Sequence, residues 1–144
     1  GISDEMVRRE PTIKEVLPKF LNFVGKSPLV AHNRVFDGKV LNENMMALSY
    51  GELVNPVLCT FILSKKLYPD EKKHGLDAVR ERLGIVEESM NQRHRALSDV
   101  EVTAKIFLNF LNILKKYQLV TVEDINQFCT ANTNLKELQQ LELF

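Results

Sequence analysis

Apolar side chains recur at helical spacing in several stretches of the chain, separated by short apolar runs. The first helical stretch opens on a capping-box pair, Thr12 and Glu15, and closes at Gly25. Pro18 lies inside it, and its missing amide donor predicts a kink or a delayed start. The apolar positions are Ile13, Val16, Leu17, Phe20, Leu21 and Val24. The spacing predicts an amphipathic helix that packs one face on a core.

Two short runs, Pro28-Leu29-Val30-Ala31 and Val57-Leu58-Cys59, do not alternate between polar and apolar residues. This pattern is typical of strands that are buried on both faces. Between the two runs the pattern predicts one helix, whose apolar positions are Phe36, Val40, Leu41, Met45 and Leu48. After the second run it predicts two more helices, at residues 60–67 and at residues 76–83, and Gly84 caps the last of them. Helices that alternate with buried strands indicate an α/β layered domain.

The C-terminal half contains the strongest helical pattern, after a loop at residues 85–93. Its expected buried face consists of Val100, Ala104, Phe107, Leu111 and Leu114. Thr121 predicts the start of a short capped helix that reaches Phe128, and a polar turn follows it. We expect the residues after about 116 to pack loosely on the domain.

Composition indicates a single globular domain. The 144 residues are 44% apolar and 26% charged, with zero net charge and no apolar run of the roughly 20 residues that a membrane helix needs. Zero net charge argues against extended binding of a long duplex by charge alone. Cys59 and Cys129 match no zinc spacing, so a reduced, cytoplasmic setting is expected.

Two stretches carry an aspartate at the start of a predicted helix. Asp37 ends Ala31-His32-Asn33-Arg34-Val35-Phe36-Asp37, and Asp99 ends His94-Arg95-Ala96-Leu97-Ser98-Asp99. Two such carboxylates can share divalent cations, and His94 can take a proton from water near neutral pH. Together they suit metal-assisted phosphodiester hydrolysis. Taken singly, each aspartate is better explained as a charge that complements the helix dipole.

These two stretches resemble the second and third motifs, A-H-N-x-x-F-D and H-R-A-L-x-D, of the DEDDh 3′–5′ exonucleases. That family includes the proofreading epsilon subunit of bacterial replicative polymerases. Further similar segments lie at residues 1–6, 15–20 and 76–85. The resemblance implies an α/β, ribonuclease-H-like exonuclease fold, a mixed sheet flanked by helices. Residues 1–117 would be the C-terminal part of the exonuclease domain and residues 118–144 an extension.

The resemblance also implies roles for individual residues. Asp37 and Asp99 would each bind one of two Mg²⁺ or Mn²⁺ ions, and His94 would orient or deprotonate the attacking water. Asn33 would hold its turn or contact the terminal nucleotide. The remaining substrate-binding residues would be Gly1, Ile2 and Phe36. His32 is expected to have a structural role through a hydrogen bond. His74 is expected to be a solvated loop residue.

The chain lacks one part of the family pattern, an Asp-x-Glu on a strand ahead of a Gly-Ile-Thr/Ser turn. The chain begins at that turn, and Asp70-Glu71 lacks the spacer. We therefore expect the N-terminal strands to be missing from this chain. Their two carboxylates would complete the metal ligands.

The last five residues, Gln140-Leu141-Glu142-Leu143-Phe144, resemble the bacterial sliding-clamp-binding pentapeptide. In such a peptide Leu143 and Phe144 fill an apolar pocket, Leu141 adds a contact, and Gln140 fixes the register. The alternative is the end of an amphipathic helix that packs on the domain.

Together these features predict a two-metal 3′–5′ exonuclease that trims single-stranded or frayed DNA 3′ ends in replication proofreading or repair. The expected partners are a sliding clamp and a replicative polymerase subunit, in the bacterial cytoplasm at the nucleoid. Two alternatives stay open: an RNA-directed exonuclease of the same fold, and a non-catalytic interaction module that kept the fold.

Overall fold

The structure is a computed structural model that describes residues 3–86 and 96–141. Its elements, in chain order, are α1 (Asp4–Val7), α2 (Ile13–Val24), β1 (Leu29–Ala31), α3 (Arg34–Ala47), β2 (Val57–Cys59), α4 (Thr60–Leu67), α5 (Leu76–Arg82), α6 (Ala96–Leu114), a 3₁₀ turn (Lys115–Tyr117), α7 (Val122–Thr130) and α8 (Leu135–Leu141). None of the described helices is both long enough and apolar enough to cross a membrane.

The capping box predicted at the start of α2 forms. The Glu15 carboxylate accepts hydrogen bonds from the Thr12 amide (2.7 Å) and from the Thr12 hydroxyl (2.9 Å). Gly25 ends the helix in a conformation with φ of 50°. Pro18 does not delay the start, because α2 begins at Ile13, directly after its cap.

The two predicted strands pair in parallel, with Val30 opposite Leu58, and α3 forms the crossover between them. In the described part of the chain the sheet has these two strands, so the expected mixed sheet is not seen there. β2 is largely buried, as predicted, but Val30 in β1 is 36% exposed. The expectation that β1 is covered on both faces is wrong here, because Val30 lines an open cleft.

The core lies between β2 and helices α4 to α7. The fully buried residues of α6 are Val102, Thr103, Ile106, Phe110 and Leu114, of which Leu114 was expected. Phe107 and Leu111 of the predicted face are partly buried and pack against the same core, so the predicted face is confirmed in part. Val100, by contrast, is 62% exposed. An apolar helix satisfies a 3.6-residue period on two adjacent faces, and tertiary packing selects between them.

The C-terminal helices join the same core. Ile125 and Phe128 of α7 are buried, and Leu135 and Leu138 of α8 pack against the cluster. The Lys66 ammonium donates hydrogen bonds to the carbonyls of Ala131 and Thr133 between the two helices. The expectation of loose packing after residue 116 is therefore wrong for α7 and most of α8. The division into units at residue 117 stays a prediction.

Candidate functional site

Asp37, the first aspartate of the predicted pair, lies in the first turn of α3, just after β1. β1 ends at Ala31 and α3 begins at Arg34, and the Asp37 amide donates to the Asn33 carbonyl (3.0 Å) in the first helical turn. Asp37 thus lies beyond the carboxyl end of a parallel strand. In open α/β sheets ligands bind outside this edge.

Asp99 occupies the first turn of α6, and α6 packs beside β1. This packing turns Asp99 and Asp37 toward one cleft of about 540 Å³. The other residues that line the cleft are Val30, Ala31, His32, Asn33, Leu76, Ala96, Val100, Thr103 and Ala104. Both aspartates thus line one cleft, and their joint role as metal ligands stays a prediction.

The cleft explains why two apolar residues of α6 are outside the core. Val100 and Ala104, which the pattern assigned to the buried face, form part of the cleft wall instead. The site therefore combines two carboxylates with an apolar wall that spans about one helical turn of α6. Such a surface suits a ligand with both a charged and a flat apolar part.

A second groove continues from the cleft. It shares Asp99 and Leu76 with the cleft and is also lined by Lys73, His74, Gly75, Asp77 and Ala78. The loop between α4 and α5 therefore forms one side of the combined surface. Lys73 is exposed and places a positive charge in this extension.

His32 makes the structural hydrogen bonds that its position predicted. Its Nδ1 lies 2.9 Å from the Thr60 hydroxyl, and its Nε2 lies 3.0 Å from the His74 carbonyl. Burial lowers the pKa of His32, against the opposing effects of the His74 hydrogen bond and the negative charge of Asp37. Asp37 and His32 line the same cleft.

His74 is not the solvated loop residue that was expected. It is half-buried, with Nδ1 2.8 Å from the Ser64 hydroxyl and Nε2 2.9 Å from the Glu71 carbonyl. The Phe61 ring lies edge-on to both imidazoles, with centroids 5.9 Å from His32 and 6.3 Å from His74. Nothing in the local pattern around a Lys-Lys-His-Gly loop signals these contacts, because all but the Glu71 bond are made to another element.

The carboxylates of the cleft are the candidate ligands for a divalent cation. No cluster of three or more His, Cys, Asp or Glu side chains suited to a metal occurs within the described ranges. Two carboxylates in an open cleft nonetheless suit Mg²⁺, which often takes one or two carboxylates and completes its shell with water and substrate phosphate. Asp99 and Glu101 do have Asp-x-Glu spacing, but residues two apart on a helix do not face each other.

Of the other residues predicted for the site, some lie in the described part of the chain and some do not. Asn33 lines the cleft, whereas Phe36 is 65% exposed and is not part of its lining. Gln140 is exposed near the end of α8, of which Leu141 is the last residue. The expectations for Gly1, Ile2, His94, Leu143 and Phe144 fall outside the described residues. The roles assigned to all these residues stay predictions.

Comparison with known proteins identifies the protein family to which the chain belongs. A family model described as Exonuclease (RNase T) matches residues 1–107, and the chain belongs to this exonuclease family. A solved structure, exonuclease X in complex with 5′ overhanging duplex DNA, is similar with a TM-score of 0.68 and 25% identity. The similarity covers 89% of this chain and 68% of that one.

Similar sequences include two DNA polymerase III proteins. The chain is 41% identical to the PolC-type DNA polymerase III of Clostridium perfringens over 139 residues, which is 96% of this chain and 9% of that protein. It is 40% identical to the epsilon subunit of DNA polymerase III of Aquifex aeolicus over 114 residues, covering 79% of this chain and 55% of the relative. The chain thus spans only part of each relative.

Proposed function

We propose that this chain forms part of a DEDDh-type 3′–5′ exonuclease that releases nucleotides from DNA 3′ ends in replication proofreading or repair. The observation that carries the proposal is that Asp37 and Asp99 line one cleft in a member of the exonuclease family. The names of the relatives, which belong to DNA polymerase III, and the DNA in the exonuclease X structure support DNA as the substrate.

In this proposal Asp37 and Asp99 hold Mg²⁺ or Mn²⁺, which would stabilise charge on the scissile phosphate and make bound water more acidic. His94, which precedes Asp99 by five residues in the sequence, accepts the proton of the attacking water. The apolar wall at Val100 and Ala104 suits the face of a terminal base or sugar.

The test uses full-length protein and a single-stranded DNA oligonucleotide labelled at its 5′ end. The wild type should produce a ladder that shortens from the 3′ end and that stops when EDTA is added. Asp37→Asn and Asp99→Asn should each lower kcat about 10³-fold, because each removes several kcal/mol of charge stabilisation.

Glu123→Gln is the matched control. Glu123 is also a first-turn helix carboxylate, but it lies on α7 and does not line the cleft. If the aspartates only complement helix dipoles, all three substitutions should be equally mild and should leave hydrolysis intact. That result would refute the proposed metal site.

The same assay separates the two alternatives. An RNA strand of the same sequence that is degraded faster than DNA would favour the RNA-directed enzyme. A full-length protein that leaves both strands intact in Mg²⁺ and in Mn²⁺ would favour the non-catalytic module. The DNA polymerase III relatives favour DNA.

We also propose that the C-terminal pentapeptide docks on a sliding clamp. The support is its sequence together with the exposure of Gln140 at the end of a packed helix, α8. A clamp would hold the nuclease near DNA 3′ ends. This tether is independent of the hydrolytic chemistry.

A further inference from the structure

The loop between α4 and α5 forms the wall of the groove beyond Asp99. Lys73, His74 and Gly75 line this groove, and Leu76 lines both the groove and the carboxylate cleft. A loop of this kind has no ladder of backbone hydrogen bonds. Its position relative to the aspartates therefore depends on side-chain contacts.

Arg82 fixes the outer side of this loop. Its guanidinium donates to the Lys73 carbonyl (2.7 Å), the Glu71 carboxylate (3.2 Å) and the Ser64 hydroxyl (3.3 Å). It also lies 5.2 Å from the centroid of the Tyr68 ring. These contacts join the loop to α4 and α5, but not to the strand that leads to Asp37.

The histidines supply that connection. His32 directly follows β1, and its Nε2 lies 3.0 Å from the carbonyl of His74 in the loop. A carbonyl only accepts, so Nε2 of His32 must carry the proton. The fully buried Thr60 hydroxyl lies 2.9 Å from Nδ1 and 3.4 Å from the Ala31 carbonyl, and we assign its single proton to the nearer acceptor, Nδ1.

His74 repeats the arrangement. Its Nε2 donates to the Glu71 carbonyl, which leaves Nδ1 as the acceptor for the buried Ser64 hydroxyl. Nε2 thus carries a proton in both rings, and the Phe61 ring lies edge-on to each of them. The result is a bridge from the β1 end of the carboxylate site to the opposite wall of the groove.

We propose that His32 and His74 are positioning residues for the nuclease reaction, and that they set the distance between the Asp37 edge and the Lys73–Leu76 wall. The inference rests on the proposed function, since it assigns the wall a place in binding the DNA strand. A displacement of about 1 Å in a group that positions substrate can cost 10²-fold in rate. Loss of the bridge should loosen substrate binding more than it slows chemistry.

The first measurement needs no nuclease activity. Long-range ¹H–¹⁵N spectra of the imidazoles in the full-length protein should show protonated Nε2 and unprotonated Nδ1 for both His32 and His74. His32→Phe should abolish the His32 signals and speed amide hydrogen exchange in residues 71–76. Unchanged exchange there would overturn the inference.

The second measurement compares two amides in place of His32. The side-chain nitrogen of Gln reaches about as far as Nε2, so His32→Gln should keep the donor to the His74 carbonyl. His32→Asn places its nitrogen nearer Nδ1 and should lose that donor. We expect KM for a short single strand to rise roughly 10-fold or more in His32→Asn and to change less than about 3-fold in His32→Gln.

Asn55→Ala is the control for stability. Asn55 donates to the carbonyls of Gly25 and Ser27 in a turn that does not line the cleft. A variant that merely unfolds in part should show lower apparent kcat with unchanged KM, because fewer molecules are active. If His32→Asn shows that same pattern, or if His32→Gln is as impaired, the positioning role is refuted.

These outcomes are distinct from failure of the proposed function. A wild-type protein that does not degrade DNA would overturn both proposals. An active wild type whose KM is insensitive to His32→Asn would overturn only this one.

Discussion

At the scale of single residues, Asp37 and Asp99 differ in exposure although each occupies the first turn of a helix. Asp37 is exposed and Asp99 is half-buried. The first-turn position already favours a carboxylate through the amide dipoles. Both carboxylates also line one cleft, where, under the proposed function, a bound cation would offset the repulsion between their charges.

The lowered pKa of His32 predicts how the stability of the folded chain changes with pH. Burial lowers it below its usual 6.5 in the folded chain. Below pH 6.5 the unfolded chain therefore binds more protons, and stability falls as pH falls toward the folded pKa. The free energy of unfolding, measured by urea titration between about pH 7.5 and pH 5, should decline on the acid side.

His32→Gln supplies the comparison, because glutamine does not titrate in this range. The variant should show a smaller decline over the same interval. An identical decline in both proteins would show that His32 does not contribute to the pH dependence.

His94 is the expected general base. In full-length protein His94→Ala should lower kcat roughly 10²–10⁴-fold, because the attacking water loses its proton acceptor. Mg²⁺ affinity should hardly change, since the expected metal ligands remain. Steady-state kinetics and a Mg²⁺ titration measure the two effects, and full activity across neutral pH would exclude this role.

At the scale of elements, α6 has two apolar faces, one packed in the core and one in the wall of the cleft. One face carries Val102, Ile106 and Phe110 into the core, whereas Val100 lines the cleft. The element thus connects the packed interior to the proposed active site. A shift of α6 would move Asp99 together with the cleft wall.

A matched pair of substitutions separates the two faces. Val102 is 3% exposed, so Val102→Ala should cost about 2 kcal/mol of stability through lost burial and a cavity. Val100→Ala should change stability by less than about 0.5 kcal/mol, because Val100 is mostly exposed, but it should raise KM for DNA. Chemical denaturation and steady-state kinetics measure these effects, and equal losses of stability would contradict the assignment of faces.

At the scale of the whole molecule, the C-terminal helices belong to the same core as the cleft. Lys66 holds the α7–α8 connection and lies 5.9 Å from the centroid of the Phe128 ring. The proposed clamp peptide therefore extends from a packed helix rather than from a loose tail. Its docking should not depend on large rearrangements of the domain.

The clamp proposal has a direct test. Wild-type full-length protein should bind a sliding clamp with micromolar affinity, about −8 kcal/mol, as expected for a short peptide that pays ordering entropy. Replacing Leu143 and Phe144 together by alanine should abolish binding in a calorimetric titration and leave hydrolysis of a short single strand unchanged.

Leu138→Ala is the control, since Leu138 packs against the core cluster. It should lower the melting temperature and still bind the clamp while folded. If the double substitution at Leu143 and Phe144 lowers the melting temperature instead, those side chains belong to the core and the clamp proposal fails.

The sequence alone predicted the elements and several of their ends. The Thr12–Glu15 capping box, the Gly25 stop and the Thr121 cap all form near the predicted positions, because caps depend on atoms within a few residues. The motifs around Asp37 and Asp99 likewise indicated two carboxylates for one site. Their spacing on helix starts is a local property of the chain.

Only the tertiary structure decided which surfaces meet. It placed Val100 in the cleft and Val102 in the core, although both fit the helical period of α6. It joined His32 to His74 across 42 positions of sequence, where no local pattern relates them. The physical reason is that periodicity and capping are short-range, whereas burial and side-chain pairing depend on which elements pack together.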